Sequence, residues 1–518
     1  MLKHKGMRAL CLGWLIMTGS HSNTIEAGPE RYAALRPARI FFVAGGNPQA
    51  RNSNPGTEAL PWKTIAKANS SLYPGDTVYI KAGTYTSNIA PLRSGTATDR
   101  ITYRAYGSDV VTITGDVTPG LHLNGVSYIT VEGINFYKLT HFLYIRNNAN
   151  HNIIAYCSFK DDDGQVDWRG STIFYGSKYN WIHHCRFSMV GRYTDLTETG
   201  VVLEIGNERS AIDGTSYNLV EDNVFYHGGH HVVGLGGNHN VFRNNYVHNE
   251  AWWTGVAEGG PWGNRGFFSV GFDGDTERNL IEGNRFAFGG EVPNQEIGGA
   301  GGTLASRRNI VRRNIFDHTL IYAIRMVTYA GQGTCVDNKI YNNTFWHCGY
   351  STTGPLKEWW SDDYTHAILF VTEGTTVQRN AVKNNIFHDN KNLRNPILPV
   401  IKTGGTLPTM QVIANNWLDD GEYLQQPMSM PSITTNLTDN GDGTFTEVTR
   451  EVGIDPGQAV AKVTGFGAPN AMLRNDDVLD AVPSDFAYLA PEQCSGSEFS
   501  DERSDIYSLG VILYEMVA

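Results

Sequence analysis

A short phrase recurs through the middle of the chain. An apolar residue is followed by two variable positions, Asn, one more variable position and a final apolar residue, usually Phe. It is clearest as LVEDNVF (Asn223, Phe225), LIEGNRF (Asn284, Phe286), IVRRNIF (Asn314, Phe316), KIYNNTF (Asn343, Phe345) and AVKNNIF (Asn385, Phe387). Weaker copies end at Phe136, Phe159, Phe187, Val247 and Leu418, so successive copies lie 23, 28, 38, 22, 39, 30, 29, 42 and 31 residues apart. A repeat with a fixed minimum length and elastic insertions describes stacked coils, each too small to bury its apolar face alone.

Each copy reads as the end of a strand. A second strand often precedes it across a short turn, as HFLYIRN precedes NIIAYCSF and AILFVTEG precedes NAVKNNIF. Stacking such coils pairs every strand with those above and below and places like residues over like. The Phe column then becomes an aromatic stack inside a cylinder. The Asn column falls at a turn, where Asn tolerates left-handed backbone and its amide can bond its neighbours along the axis. These features predict an all-β chain folded as a parallel β-helix.

The segment PWKTIAKANSSLYPGDTVYIKAGTY (Pro61 to Tyr85), followed by RITYRAYG (Arg100 to Gly107), closely resembles the opening of secreted right-handed β-helix proteins. Many of these are polysaccharide lyases, relatives of pectate lyase, chondroitinase B and alginate lyase. The resemblance runs from about Ile40 to Asp420 and places the β-helix domain at residues 38–420. It implies a right-handed coil and a capping helix over Trp62 to Leu72, which would cover strand edges left open at the end of the stack. One fold hosts many chemistries, so the activity has to be sought in particular residues.

Length fits one long solenoid, since 518 residues in a structure that grows lengthwise do not require several globular domains. A net charge of −11 argues against a nucleic-acid partner, and would repel acidic polysaccharides unless Arg and Lys are concentrated locally. Lys3, His4, Lys5 and Arg8 precede an apolar run from Ala9 to Met17, which reads as a secretory signal peptide over residues 1–27. A secreted protein, extracellular or periplasmic, is expected, and no internal apolar run is long enough to span a membrane after signal cleavage. Cys157 and Cys185 hold the same place in adjacent coils and read as a core stack, whereas Cys335 and Cys348 are placed to pair across one coil.

Aligning the apolar residues of the first strand in each coil leaves an outward column of Tyr144, Phe174, Glu204, Gly234, Gly271, Gly298, Arg325 and Phe370. Three consecutive glycines would make a bare floor on which a glycan could approach the backbone. Arg146, His230, Ser269, Asp273 and Glu296 flank the column. Long insertions carry Trp252 and Trp253, and Trp359 and Trp360, paired aromatics suited to stacking on sugar rings or to packing beneath their own loops. The expected partner is a polysaccharide.

A lyase needs a base for the proton beside a uronate carboxylate and a cation for the charge that develops. Arg325 suits the cation, and His230 or Glu204 the base. The related chondroitinase-B-like lyases carry a Lys one coil before their Arg, and Gly289 to Gly302 offers none. A hydrolase needs two carboxyl groups within about 5–10 Å. Glu204 and Glu296, three coils apart, are about 14 Å from each other by strand spacing. The favoured reading is a polysaccharide lyase acting on a uronate-containing glycan. The alternative is a non-catalytic β-helix that binds glycan or serves a structural role.

Asp161, Asp162, Asp163 and Asp167 suit calcium, the one cofactor these residues raise, or form a solvated turn. No other metal is assigned. His227, His248, His318, His347 and His388 recur just after the repeat's last apolar residue, which points to a ladder along a turn. In His183-His184 and His230-His231, strand alternation places the two rings on opposite faces.

From Phe486 the text changes to FAYLAPEQCSGSEFSDERSDIYSLGVILYEMVA. This segment, residues 485–518, closely resembles bacterial serine/threonine protein kinases after the activation segment, with Ala490-Pro491-Glu492 at the APE motif and Asp505 at a structural Asp. The nucleotide, metal and base motifs are missing from the chain, so kinase activity is not expected despite a label a gene fusion would invite. Residues 421–484 between the two form an unassigned extension.

Overall fold

In a computed structural model of the protein, the described residues are the coils between 37 and 418 and three strands beyond them, Tyr423–Leu424, Asn436–Asp439 and Phe445–Val448. Connecting segments at 161–169, 191–200, 207–213, 229–231, 249–266, 272–275, 288–294, 300–304, 320–321, 329–333, 350–365, 373–376, 393–395 and 402–411 lie outside them. So do the expected signal peptide, most of the 421–484 extension and the kinase-like segment.

The chain is a parallel β-helix. Each coil contributes a strand to a first sheet, turns tightly, contributes one to a second sheet, and crosses a connecting segment to a third. The first and second sheets each run through 13 strands and the third through 10. Pairing is parallel throughout these sheets, except that Tyr423–Leu424 runs antiparallel to Asn416–Leu418. In later coils a small fourth sheet is inserted before the first, from Thr276–Glu277, Ala305–Arg307, Thr334–Val336 and Val377–Gln378.

The second sheet holds the repeat's final residues in one register: Phe136, Phe159, Phe187, Phe225, Val247, Phe286, Phe316, Phe345, Phe387 and Leu418. Neighbouring Phe rings stack with centroids 4.5–5.1 Å apart. Val247 interrupts the column, and Phe242 from the first sheet fills the gap, 5.7 Å from Phe225 and 6.5 Å from Phe286.

The repeat's Asn residues form a buried ladder between the first and second sheets. From Asn223 through Asn245, Asn284, Asn314, Asn343 and Asn385 to Asn416, each Oδ1 accepts the backbone N–H of its predecessor at 2.9–3.0 Å. The predecessor's Nδ2 donates to the same oxygen at 2.9–3.1 Å. The ladder Asn is not itself left-handed, contrary to expectation. The residue before it is: Asp222, Asn244, Gly283, Arg313, Asn342, Asn384 and Asn415 have φ of 52–64°. This frees the Asn amide to face the core. At Gly283 a Cβ would stand 2.5 Å from the Asn244 side-chain oxygen, so that rung also needs the missing side chain.

A second ladder, not read in the sequence, sits at the entry to the first sheet. It comprises Asn152, Asn180, Asn218, Asn240, Asn279, Asn309, Asn338 and Asn380, with the same backbone bonds at 2.8–3.1 Å. Together the ladders satisfy backbone donors at both tight corners of the coil.

Cys157 and Cys185 lie over one another in the first ladder's column, and Asn223 Oδ1 accepts the Cys185 backbone N–H at 2.8 Å. Cys335 and Cys348 do not pair; both are fully buried free thiols, Cys335 in the fourth sheet and Cys348 at the end of a second-sheet strand. The capping helix is shorter than expected, Ile65–Ser71, with Thr64 accepting the Lys67 N–H. Trp62 remains extended because its backbone bonds to Phe42 and its ring stacks on Phe41 at 4.5 Å.

Candidate functional site

The third sheet carries the expected groove column, and its register differs from the sequence alignment. Thr172, not Phe174, pairs with Tyr144 and Glu204. Glu204 pairs with Gly234, Gly234 with Phe268, Phe268 with Glu296, Glu296 with Arg325, and Arg325 with Leu369. Phe370 is fully buried on the opposite side of its strand. Gly271 pairs with Gly299 and belongs to the inward-facing register, whereas Gly298 shares the groove register two positions beyond Glu296. The expected floor of three successive glycines is therefore reduced to Gly234. The cause is physical: a slip of one residue moves a whole strand to the other face, and the run FFSVGF (Phe267 to Phe272) alternates too weakly to resist a slip.

Arg325 and Glu296 occupy adjacent positions of one column. Glu204 stands four strands from Arg325, about 19 Å, and three from Glu296. Glu204 and Arg325 therefore do not converge on one sugar. His230, Asp273, Trp252, Trp253, Trp359 and Trp360 lie outside the described residues, as does the Asp161–Asp167 segment. Among the described residues no three His, Cys, Asp or Glu side chains come together as metal ligands, and no helix is long and apolar enough to cross a membrane.

The structure adds a cluster at the opposite end of the column. Arg146 Nε donates to Thr172 Oγ1 at 3.0 Å, and the guanidinium lies 3.5 Å from the Tyr144 ring centre. Thr172 is the strand neighbour of Glu204, whose side chain is 1% exposed. His122 pairs in register with Tyr144. Burial, reinforced by Arg146, holds the His122 imidazole below its usual pKa and hence neutral at pH 7. The signal for this cluster is the alternation Tyr144-x-Arg146 two strands from Glu204, visible only once the strand register is known. Elsewhere, His183 and His184 do not keep to opposite faces: Nδ1 of one lies 3.0 Å from Nδ1 of the other, because His184 is left-handed and turns back. Burial, and then His184, lowers the His183 pKa.

Comparison with known proteins accounts for this architecture. The family model described as a right-handed beta helix region matches residues 119–256 and 211–405, more than half of the chain. The chain belongs to the right-handed β-helix family. A second model of that family, described as a Pel9A-like right-handed beta helix region, matches residues 42–186. The β-helix is similar to the pectate lyase PEL9 of Emericella nidulans, 36% identical over 91 residues, covering 17% of this chain and 22% of the lyase. The chain thus spans about a fifth of that relative. Among solved structures, a mannuronic-acid-specific family 6 polysaccharide lyase from human gut microbiota is similar at 15% identity and a TM-score of 0.46, over 76% of this chain and 92% of that one. A probable serine/threonine-protein kinase of Clostridium perfringens is 41% identical over 61 residues, 12% of this chain and 9% of the kinase.

Proposed function

We propose that this β-helix is a carbohydrate-active protein that cleaves a uronate-containing polysaccharide by β-elimination, with the third sheet as its groove. The observation that carries the site is the Arg146–Thr172 bond, which ties a guanidinium to the residue that pairs with Glu204 in the next strand, Arg146 itself lying two strands from Glu204. In this reading Arg146 neutralises a uronate carboxylate and makes the adjacent proton acidic. Glu204, or His230 on the next coil, takes that proton, and the glycosidic oxygen departs as the double bond forms. Arg325, four strands away, grips a second carboxylate farther along the glycan. Gly234 leaves room for the chain, and Glu296, Gly298, Asp273 and the two tryptophan pairs are the further sugar contacts that the sequence suggests. Calcium would serve the same end by shielding carboxylates. The similarity to a pectate lyase over a fifth of its length supports this substrate class, and the signal-peptide pattern supports secretion.

The near-complete burial of Glu204 favours a second reading, glycan binding without turnover. Incubation with pectate, alginate, glycosaminoglycans and neutral glycans, with and without calcium, separates the two. Release of ultraviolet-absorbing unsaturated ends, abolished in Arg146→Ala and Glu204→Gln, supports elimination. Saturated reducing ends indicate hydrolysis. Binding with no new ends of either kind supports the second reading.

A further inference from the structure

The outer face of the first sheet, away from the groove, concentrates positive charge on an acidic protein. In the coil entering at Leu280, Arg278 stands on the turn. The next coil adds Arg307, Arg308, Arg312 and Arg313. The two after it add Lys339, then Arg379 and Lys383. Three carboxylates face these eight cations among the described residues of these turns and strands. Glu277 is shared by Arg278, Arg307 and Arg308, Glu282 by Arg312 and Arg313, and Asp337 pairs with Arg379.

Depth sorts the charges. Arg278, Arg308 and Arg379 are 38–41% exposed, whereas Glu277, Glu282 and Asp337 are 2–18% exposed. Arg312, 20% exposed, lies about as deep as Asp337, but the other guanidinium groups of these pairs are 36–41% exposed and cover the carboxylates, so the surface presents mainly cations. Burial raises the Glu277 pKa, but the Arg307 hydrogen bond and the charges of Arg307, Arg278 and Arg308 outweigh it and leave the carboxyl below its usual range. Burial, and to a lesser extent the charge of Lys339, lowers the Lys383 pKa.

Arg278, Arg308 and Arg379 also share one column, each immediately before a rung of the second Asn ladder and each left-handed. The same column holds stacked rings in earlier coils: Tyr128, His151, Tyr179, Tyr217 and His239, with centroids 4.9–5.2 Å apart. Asp337 holds the same column between Arg308 and Arg379 and is paired with Arg379, so along the axis the strip passes from aromatic to charged, three cations to one paired anion.

We infer that the outer face of the first sheet between Arg278 and Lys383, with the turn that feeds it, is a second docking surface, separate from the groove, for the carboxylates of an anionic polysaccharide. Each of four successive coils supplies at least one cation, and the coil spacing of about 4.8 Å is close to the length of one pyranose residue. A polyuronate bears one carboxylate per residue and can follow that spacing. Duplex DNA carries one charge per about 1.7 Å, a poor match for such a sparse row on a chain of net charge −11. The inference rests on the proposed function only for the choice of glycan.

The test uses the full chain and polygalacturonate, with neutral galactan and a DNA duplex as controls, in affinity electrophoresis and calorimetry. The triple variant Arg278→Gln/Arg308→Gln/Arg379→Gln is expected to weaken polygalacturonate binding about tenfold at low salt, with a smaller difference at high salt. Lys at the same three positions restores binding, which separates lost charge from lost fold. Arg325→Ala in the groove leaves the patch-dependent share of binding in place. The inference is overturned if the triple Gln variant binds like the parent, if galactan binds as tightly as polygalacturonate, or if DNA binds more tightly at these residues. If no glycan is cleaved but the triple variant still loses polygalacturonate, the groove reading fails and this one stands. If cleavage proceeds and the triple variant binds normally, this one alone fails.

Discussion

The Asn314 side chain makes four buried hydrogen bonds. It accepts from the backbone N–H and Nδ2 of Asn284, and donates to the Ile281 carbonyl and to Asn343 Oδ1. Asn314→Ala leaves several of these groups unsatisfied in a place water cannot reach. A loss of about 3 kcal/mol is expected, read as a lower urea midpoint at unchanged slope. The four core cysteines test the same interior chemically. Burial raises the pKa of Cys185 and Cys335 and pushes Cys348 up to about 12. In the folded protein these three stay protonated, and all four buried thiols should react with a thiol reagent at pH 8 only on unfolding. The linkage follows: an unfolded thiol ionises near pH 8.5 and the folded one does not, so stability is full below about pH 8.5 and declines as pH rises toward the folded values. A thermal melting temperature that is flat from pH 7 to 10 would contradict this.

Among the elements, the Phe column sets the strand register of the second sheet. Phe316→Ala opens a cavity between Phe286 and Phe345 and is expected to cost about 3–5 kcal/mol. Val247→Phe restores the repeat as written, yet Phe242 already occupies that space. The expected result is a loss of about 1–3 kcal/mol from overpacking, measured by denaturant unfolding. The same contrast explains what the chain discloses before it is folded. The second sheet was legible because one aromatic and one amide recur at a two-residue offset in every clear copy. The second Asn ladder is hidden in the sequence because the residue before each rung changes from Tyr and His to Arg and Asp, so no phrase repeats. The third sheet was legible as a sheet but not in register. Its strands follow long insertions such as residues 249–266, which break the count, and Phe267-Phe268 and Ile368-Leu369-Phe370 put apolar residues on both faces. The groove column was thus right at Tyr144, Glu204, Gly234 and Arg325 and displaced between and beyond them. Arg146 is tied to Thr172, the strand neighbour of Glu204, and that link emerges only from the register.

For the whole molecule, stability is a sum over neighbouring coils, and the exposed ends are the weak points. The helix Ile65–Ser71 buries Ile65 and Ala68 against the first coil. Ile65→Asp is expected to lift the cap and expose strand edges, giving concentration-dependent aggregation in light scattering with little change in far-ultraviolet circular dichroism at low concentration. Aggregation no faster than that of the parent would show that the first coil is closed by other means.

The direction of the Asn bonds has a consequence for how the chain is made. The backbone N–H at each rung is satisfied by the Asn of the coil that follows it in sequence: Cys185 by Asn223, Asn223 by Asn245, and so on until Asn385 meets Asn416. A ribosome delivers these coils in the same order. At every moment of synthesis the newest coil therefore ends in open donors that only the next one can close, like a zip whose slider travels with translation and locks when Asn416 emerges.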